Sequence, residues 1–192
     1  MSQVHESGSA PLSLVLSRFR CPDCMSAGPL PTESGILCSG CRTTFPVIDG
    51  RPVLVSSHNG IFPRSAYELA DRHHIVRRRR SWTHVLPDRS VNLSYRRYIK
   101  AFVRRLEGQS ADVLVIGAAN QRSTLSKLFA GAKSIRLVYS DIDVAADVDL
   151  YCDAHELPFQ DQTFDGVIAS AVLEHVLSPN NGGSRSPQSS AT

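Results

Sequence analysis

Two C-x2-C pairs constrain this chain more than any other feature of its sequence. Cys21 and Cys24 form the first pair, Cys38 and Cys41 form the second, and thirteen residues separate the two pairs. Two tight turns with this spacing can present four thiolates at the corners of a tetrahedron, which is typical of a zinc ribbon. The alternative is two disulfides or four free thiols. Because the sequence shows neither a secretory signal nor an apolar run long enough for a membrane helix, we expect a cytoplasmic chain, where metal binding is favoured over disulfides.

The metal site is predicted to be structural, because protein ligands fill all four corners and no position is left for water. The surrounding unit, residues 12–57, is too small to bury a sufficient core, so metal binding would supply its folding energy. Asp49 and Gly50 lie between β-branched and aromatic residues and predict a β-hairpin. Gly40 is expected to supply a positive φ in the second C-x2-C turn. Residues 1–11 are expected to be a disordered leader.

Basic residues are concentrated in the middle of the chain. Residues 60–110 contain twelve basic and four acidic groups, whereas residues 111–192 contain five basic and ten acidic groups. Residues 58–110 are therefore predicted to be a basic helical connector. The run Arg77, Arg78, Arg79 and Arg80 could contact RNA phosphates, and the alternative is a solvated arginine-rich surface.

The end of this connector has a clear helical period. Its apolar residues recur at intervals of three and four and are followed by Gly108, which predicts an amphipathic helix with these residues on its core side. The predicted core residues are Tyr95, Tyr98, Ile99, Phe102, Val103 and Leu106.

From residue 111 onward, short apolar strands alternate with helical stretches. This pattern predicts an α/β fold with a partial doubly wound, Rossmann-like parallel sheet over residues 111–179. The predicted strands are Val113–Ile116, Ile135–Tyr139, Val148–Cys152 and Asp165–Ala169. The low-complexity residues 180–192 are expected to form a disordered tail.

Polar positions at the strand ends predict a ligand site. In a doubly wound sheet, the turn after the first strand and an acid at the end of the second strand bind a nucleotide-like ligand. Gly117 follows the first strand, and Asp141 ends the second strand 24 residues later. The alternatives are that Asp141 is a solvated strand-end residue and that Asp153 with Glu156 only caps a helical turn.

The segments Asp153–Phe159 (DAHELPF) and Phe164–Val176 (FDGVIASAVLEHV) resemble the class I S-adenosylmethionine-dependent methyltransferases, and the likeness extends over about residues 90–179. The resemblance implies S-adenosylmethionine as cofactor. Asp141 would bind the ribose hydroxyls and Asp153 the adenine amine. The other cofactor-binding residues that it implies are Gly117 and Ala119 in the first turn, Ala154 beside the adenine, and Ser170 near the sulfonium.

Two departures from this family are visible. The first turn reads Gly-Ala-Ala-Asn-Gln at residues 117–121, where the family has Gly-x-Gly-x-Gly. Members of the family also continue with a helix and three more strands after the fourth strand, so the catalytic domain is expected to be cut short at its C-terminal end. A strand order of 3-2-1-4 is expected, which would leave the fourth strand on an edge that a partner chain could cover.

The cysteine-containing segment resembles the zinc-binding small subunit that activates methyltransferases of tRNA and translation factors. A ribbon ahead of a methyltransferase also resembles the layout of some ribosomal-RNA guanine methyltransferases. The predicted function is S-adenosylmethionine-dependent methyl transfer to an unidentified acceptor, with activity in doubt if the domain is truncated. The alternative is a non-catalytic zinc-ribbon adaptor or RNA-binding module. No catalytic residue is assigned, since surface or helix-packing roles are the default for His155 and His175 and a catalytic base is the alternative.

Overall fold

The computed structural model describes residues 12–67, 93–118 and 121–169. The predicted leader, the predicted tail, His175 and the run Arg77–Arg80 lie outside the described residues. The helices are α1 (Leu12–Ser17), α2 (Leu93–Leu106) and α3 (Arg122–Leu128). The strands are β1 (Pro29–Thr32), β2 (Gly35–Cys38), β3 (Thr44–Phe45), β4 (Val47–Ile48), β5 (Arg51–Pro52), β6 (Ala111–Ile116), β7 (Ile135–Asp141), β8 (Leu150–Tyr151) and β9 (Gly166–Ala169).

Strands β6 to β9 form a parallel sheet. Their spatial order is β8-β7-β6-β9, with β6 and β7 paired along six residues of each strand. All six residues of β6 are buried, as expected for an inner strand of a parallel sheet covered on both faces. The α/β prediction is therefore confirmed.

The two faces of this sheet are covered by different parts of the chain. Val113 and Val115 of β6 point to one face, where they join a cluster with buried residues of α2 and α3. Leu114 and Ile116 point to the other face, because successive side chains of a strand alternate. One strand thus takes part in two separate hydrophobic clusters.

The cysteine-containing segment covers the second face. Phe19 and Phe45 are fully buried, meet edge to face at 5.6 Å between ring centroids, and belong to the same cluster as Leu114. Leu14 and Val15 of α1, a helix that the sequence pattern did not predict, also belong to it. We refer to residues 12–55 as the cysteine knob. The knob and the parallel sheet share a hydrophobic core.

Short antiparallel strands build the knob. Strands β1, β2 and β3 form one small sheet, and β4 and β5 form a hairpin. Asp49 and Gly50 connect the hairpin strands with φ values of 49° and 76°, and two positive φ angles are what a tight hairpin turn requires. The hairpin prediction is confirmed.

The last residues of the knob run along the outer strand β8. Val53 bridges Tyr151 in parallel orientation, and the Leu54 amide donates to the Tyr151 carbonyl at 2.8 Å. The β8 edge of the sheet is therefore covered by residues of this chain. At the opposite side, Val167 of β9 is 52% exposed.

Helix α2 confirms the predicted amphipathic helix, with one correction. Ile99 is buried, and Gly108 follows the helix with a φ of 82°. The prediction that Tyr98 belongs to the core is wrong, since Tyr98 is 72% exposed. It lies at the margin of the apolar stripe, where a helical period alone does not decide between core and solvent.

The described helices share one further property: none is long and apolar enough to cross a membrane.

Candidate metal centre and cofactor crevice

The four predicted cysteine ligands converge. The sulfur atoms of Cys21, Cys24, Cys38 and Cys41 all lie within 4.8 Å of one another. Two of the separations are 3.7 Å (Cys21 to Cys41) and 3.6 Å (Cys24 to Cys38). A tetrahedral zinc site with zinc–sulfur bonds of about 2.3 Å has sulfur–sulfur edges of about 3.8 Å, whereas a disulfide needs about 2.05 Å. The arrangement can hold a metal ion.

The two C-x2-C turns have the same backbone hydrogen bonds. In the first turn, the Cys21 amide donates to the Ser26 carbonyl at 2.9 Å and the Met25 amide donates to the Cys21 carbonyl at 2.8 Å. In the second turn, Cys38 donates to Thr43 at 2.8 Å and Arg42 donates to Cys38 at 3.0 Å. The two turns therefore have the same local structure. Each turn supplies two of the four sulfur atoms that converge.

The residue after each second cysteine has a left-handed backbone. Met25 has a φ of 64° and Arg42 a φ of 63°. The prediction that Gly40 supplies a positive φ is wrong. Gly40 is needed for space, because a Cβ there would lie 2.5 Å from Ser26 Oγ and 3.2 Å from Cys24 Sγ.

Hydrogen bonds favour the charged form of two of the thiols. The Ser26 hydroxyl and amide lower the pKa of Cys24 to about 6. The hydroxyl and amide of Thr43 likewise lower the pKa of Cys41. Burial raises the pKa of Cys21, although the backbone amides of Cys24 and Asp23 oppose this effect. Thiolates are the form in which cysteine binds metal.

Asp23, between the first two cysteines, ties the knob to the chain that follows it. Its carboxylate accepts from the Ser57 amide at 2.8 Å and from the Arg64 guanidinium at 2.8 Å. Burial alone would raise the pKa of Asp23, but these two donors lower it to about 2. Arg64 also donates to the Val55 carbonyl and stacks on the Phe45 ring. Residues 55–64 are thus held against the knob.

The sheet register brings the predicted cofactor residues to one edge. Ile116 is opposite Ser140, and Asp141 is opposite Tyr151. Gly117, Asp141 and Asp153 therefore follow or end three neighbouring strands at their carboxyl ends. In open parallel sheets, ligands bind in the crevice at this edge.

The turn after β6 begins with a backbone geometry that favours glycine. Gly117 has a φ of 67°, which an L side chain would disfavour. The Ala118 amide donates to the Ser140 carbonyl at 3.0 Å. Gln121, at the end of the turn, accepts a hydrogen bond from the Tyr95 hydroxyl at 2.7 Å. Ala119 lies outside the described residues, as does Ser170.

Asp141 is half-buried at the end of β7. One carboxylate oxygen accepts from the Asp143 amide at 3.0 Å, and its backbone carbonyl accepts from the Cys152 amide at 3.0 Å. Cys152 is buried, and this burial raises the pKa of its thiol to about 12. Cys152 is therefore a neutral, packed side chain.

Asp153 is held by two neighbours. One carboxylate oxygen accepts from the His155 amide at 2.9 Å and lies 2.8 Å from His155 Nδ1. The other accepts from Asn59 Nδ2 at 2.7 Å. Asp153 thus caps the turn that contains half-buried Ala154, and its side chain is also oriented from outside the sheet.

Sequence reasoning missed Asn59. Its side-chain oxygen accepts from the amides of Ile61 and Phe62 at 3.1 and 2.8 Å, while its nitrogen donates to Asp153. No local pattern marks this role, since it depends on a contact between residues 94 positions apart. The Asn-Gly dipeptide at Asn59 and Gly60 signals only a turn.

The described crevice thus combines a glycine turn, a strand-end acid and a second oriented acid on a parallel sheet. Residues 116–182 match the family model of a methyltransferase domain. This match supports the resemblance to class I S-adenosylmethionine-dependent methyltransferases, and it indicates methyl transfer as the general class of chemistry. The matched segment begins at the last residue of β6. No match is found among curated proteins.

Proposed function

We propose that the chain is an S-adenosylmethionine-dependent methyltransferase whose cysteine knob holds a structural zinc ion. The observation that carries the first part is the placement of Gly117, Asp141 and Asp153 along one sheet edge within or beside the matched segment. The donor's charged sulfonium and its adenosine group suit a crevice that offers carboxylates and a close backbone turn.

Each residue would bind a different part of the donor. Asp141 would accept hydrogen bonds from the ribose hydroxyls, and Asp153 from the adenine amine. The turn of Gly117 and Ala119 would approach the methionine part, with Ala154 beside the adenine and Ser170 near the sulfonium. These contacts position the donor for in-line attack, which is the main requirement of methyl transfer.

The chemical step is a displacement at carbon. A lone pair of the acceptor forms the new bond to the methyl carbon as the carbon–sulfur bond breaks. The electron pair of that bond stays on sulfur, so the sulfonium becomes the neutral thioether of S-adenosylhomocysteine. An acceptor that carries a proton on the attacking atom releases it to solvent or to a neighbouring base.

Zinc fits the knob because four sulfur ligands in a tetrahedral arrangement are a common structural zinc set. The fit rests on the sulfur separations and on hydrogen bonds that favour thiolates at Cys24 and Cys41. The ion would stabilise the knob and would not contact the donor.

Calorimetric titration with S-adenosylhomocysteine tests the proposal. We expect Asp141→Asn to weaken binding about 10- to 100-fold, since a hydrogen bond to a charged group contributes roughly 1.5–3 kcal/mol. The matched control is Asp161→Asn, because Asp161 is an exposed carboxylate paired with Arg20. This variant should bind S-adenosylhomocysteine as the wild type does. No heat from the wild-type chain at millimolar ligand would contradict the proposal.

A further inference from the structure

Helix α2 carries an exposed cationic face. Its basic residues are exposed, and no carboxylate among the described residues forms an ion pair with them. The cations are Arg96, Arg97, Lys100, Arg104 and Arg105. Tyr98, at the edge of this group, has 72% of its surface exposed. We refer to these six residues as the α2 face.

The opposite side of the helix is firmly packed. Ile99 is buried, and Phe102, Val103 and Leu106 pack against the cluster on the helical side of the sheet. The Phe102 ring lies so close to Gly166 that a Cβ there would be 2.4 Å from it. With its apolar residues packed inward, α2 has no apolar side to insert into a membrane, and its cations are presented from a fixed support.

The helix also leads to the crevice. Near its start, the Tyr95 hydroxyl donates to Gln121 at the end of the turn that begins at Gly117. Its middle contacts Gly166 at the amino end of β9. The helix therefore runs antiparallel to the strands, and the α2 face extends about 14 Å along the sheet from near the crevice edge.

We propose that the α2 face binds single-stranded nucleic acid and leads it to the crevice as the methyl acceptor. A row of cations neutralises successive phosphates, and an exposed tyrosine at the edge of that row offers a ring on which an unpaired base can stack. A base within a duplex is already stacked and is not available for this contact. The acceptor part of this inference rests on the proposed function; the binding part does not.

Fluorescence anisotropy on the full metal-loaded chain tests the binding. The probes are labelled RNA and DNA single strands of about 12 nucleotides with the same sequence, a length within the range of single-strand sites. A duplex of the same sequence and inorganic polyphosphate complete the set. We expect the single strands to bind more tightly than the duplex, with an affinity that falls steeply as salt is raised. The RNA and DNA arms decide which nucleic acid is preferred.

Two variants locate the surface. Arg97→Ala/Arg104→Ala should reduce the logarithmic salt slope by about 1.4, since each phosphate contact contributes about 0.7. Lys127→Ala/Lys133→Ala is the matched control, because it removes two exposed cations outside the α2 face, and its slope should not change. Tyr98→Ala should weaken single-strand binding about fivefold or more, while Tyr98→Phe keeps the ring and should stay within about twofold. These positions are exposed, and thermal melts verify that each variant folds.

Several results would overturn the inference. The first is absence of nucleic-acid binding at low salt. The second is an equal reduction of the salt slope in both double variants. The third is that polyphosphate binds as tightly as the single strands and Tyr98→Ala has no effect. Donor titration separates this inference from the proposed function. If the donor binds and nucleic acid does not, only the inference fails; if nucleic acid binds and the donor does not, the proposed function fails. If both bind but labelled donor does not methylate the bound strand, the acceptor assignment is wrong.

Discussion

The cysteine knob and the crevice are built in different ways. In the knob, two matched local turns position the four sulfur atoms, so most of the geometry lies within a few residues of each ligand. In the crevice, strands distant in sequence position Gly117, Asp141 and Asp153 through their register. The geometry of the knob's sulfur atoms is therefore local and can hold a metal ion, whereas that of the crevice depends on burial of the sheet. The two meet because the knob covers one face of that sheet.

The largest expected effect follows from removing the metal. Cys38→Ala should abolish metal binding and, with it, the packing of the knob on the sheet, because structural zinc contributes roughly 10 kcal/mol or more of folding free energy in small domains. We expect loss of the cooperative thermal transition by circular dichroism and of metal by mass spectrometry. Cys152→Ala is the matched control, as both cysteines are buried and Cys152 is not one of the four clustered ligands. Equal metal content in both variants would show that the four sulfurs are not the ligands.

The two faces of the sheet should respond differently to truncation. Leu114→Ala on the knob face should lower the free energy of unfolding by about 2–5 kcal/mol and should also speed metal release to a chelator. Leu125→Ala, in the cluster with α2 and α3, should cost a similar amount without changing metal release. Denaturant melts and chelator absorbance measure the two quantities. Identical chelator kinetics in both variants would contradict a core shared by knob and sheet.

A smaller effect is expected where α2 meets the sheet. Gly166→Ala should lower the free energy of unfolding by about 1–3 kcal/mol, because the added methyl group would overlap the Phe102 ring. Gly131→Ala is the control, because no atom lies within 4 Å of a Cβ added at Gly131. It should change the free energy of unfolding by less than about 1 kcal/mol. A melt that shows equal stability for the two variants would mean that α2 is not packed tightly on β9.

The smallest effect concerns the contact between Asn59 and Asp153. Asn59→Ala should weaken S-adenosylhomocysteine binding about fivefold, since Asp153 loses the donor that orients it. Metal content and the thermal midpoint should stay at wild-type values. Asn59→Asp should weaken binding further, because it places a second carboxylate beside Asp153. Unchanged affinity in both variants would show that Asn59 has no part in forming the crevice.

The sequence predicted the elements whose signals are local. The paired cysteines, the Asp49-Gly50 hairpin and the apolar strands of the parallel sheet each follow from residues that are near one another in the chain. The amphipathic pattern also located α2. These features need no knowledge of the rest of the molecule.

Long-range packing was not predictable in the same way. Nothing in the sequence of α1 indicates that Leu14 and Val15 would cover a sheet formed from residues beyond 110. The period of α2 could not place Tyr98, which lies at the margin of its apolar stripe. Gly40 was correctly singled out but for the wrong reason, since the crowding at Ser26 depends on how the two turns face each other.

The central claim is that the carboxyl edge of the parallel sheet binds an adenosyl sulfonium. A crystal structure of the zinc-loaded chain with S-adenosylhomocysteine tests it most directly. The account predicts the ligand above Gly117, with the ribose hydroxyls within hydrogen-bonding distance of Asp141 and the adenine amine facing Asp153. A ligand bound elsewhere, or carboxylates of Asp141 and Asp153 that face away from it, would contradict the account.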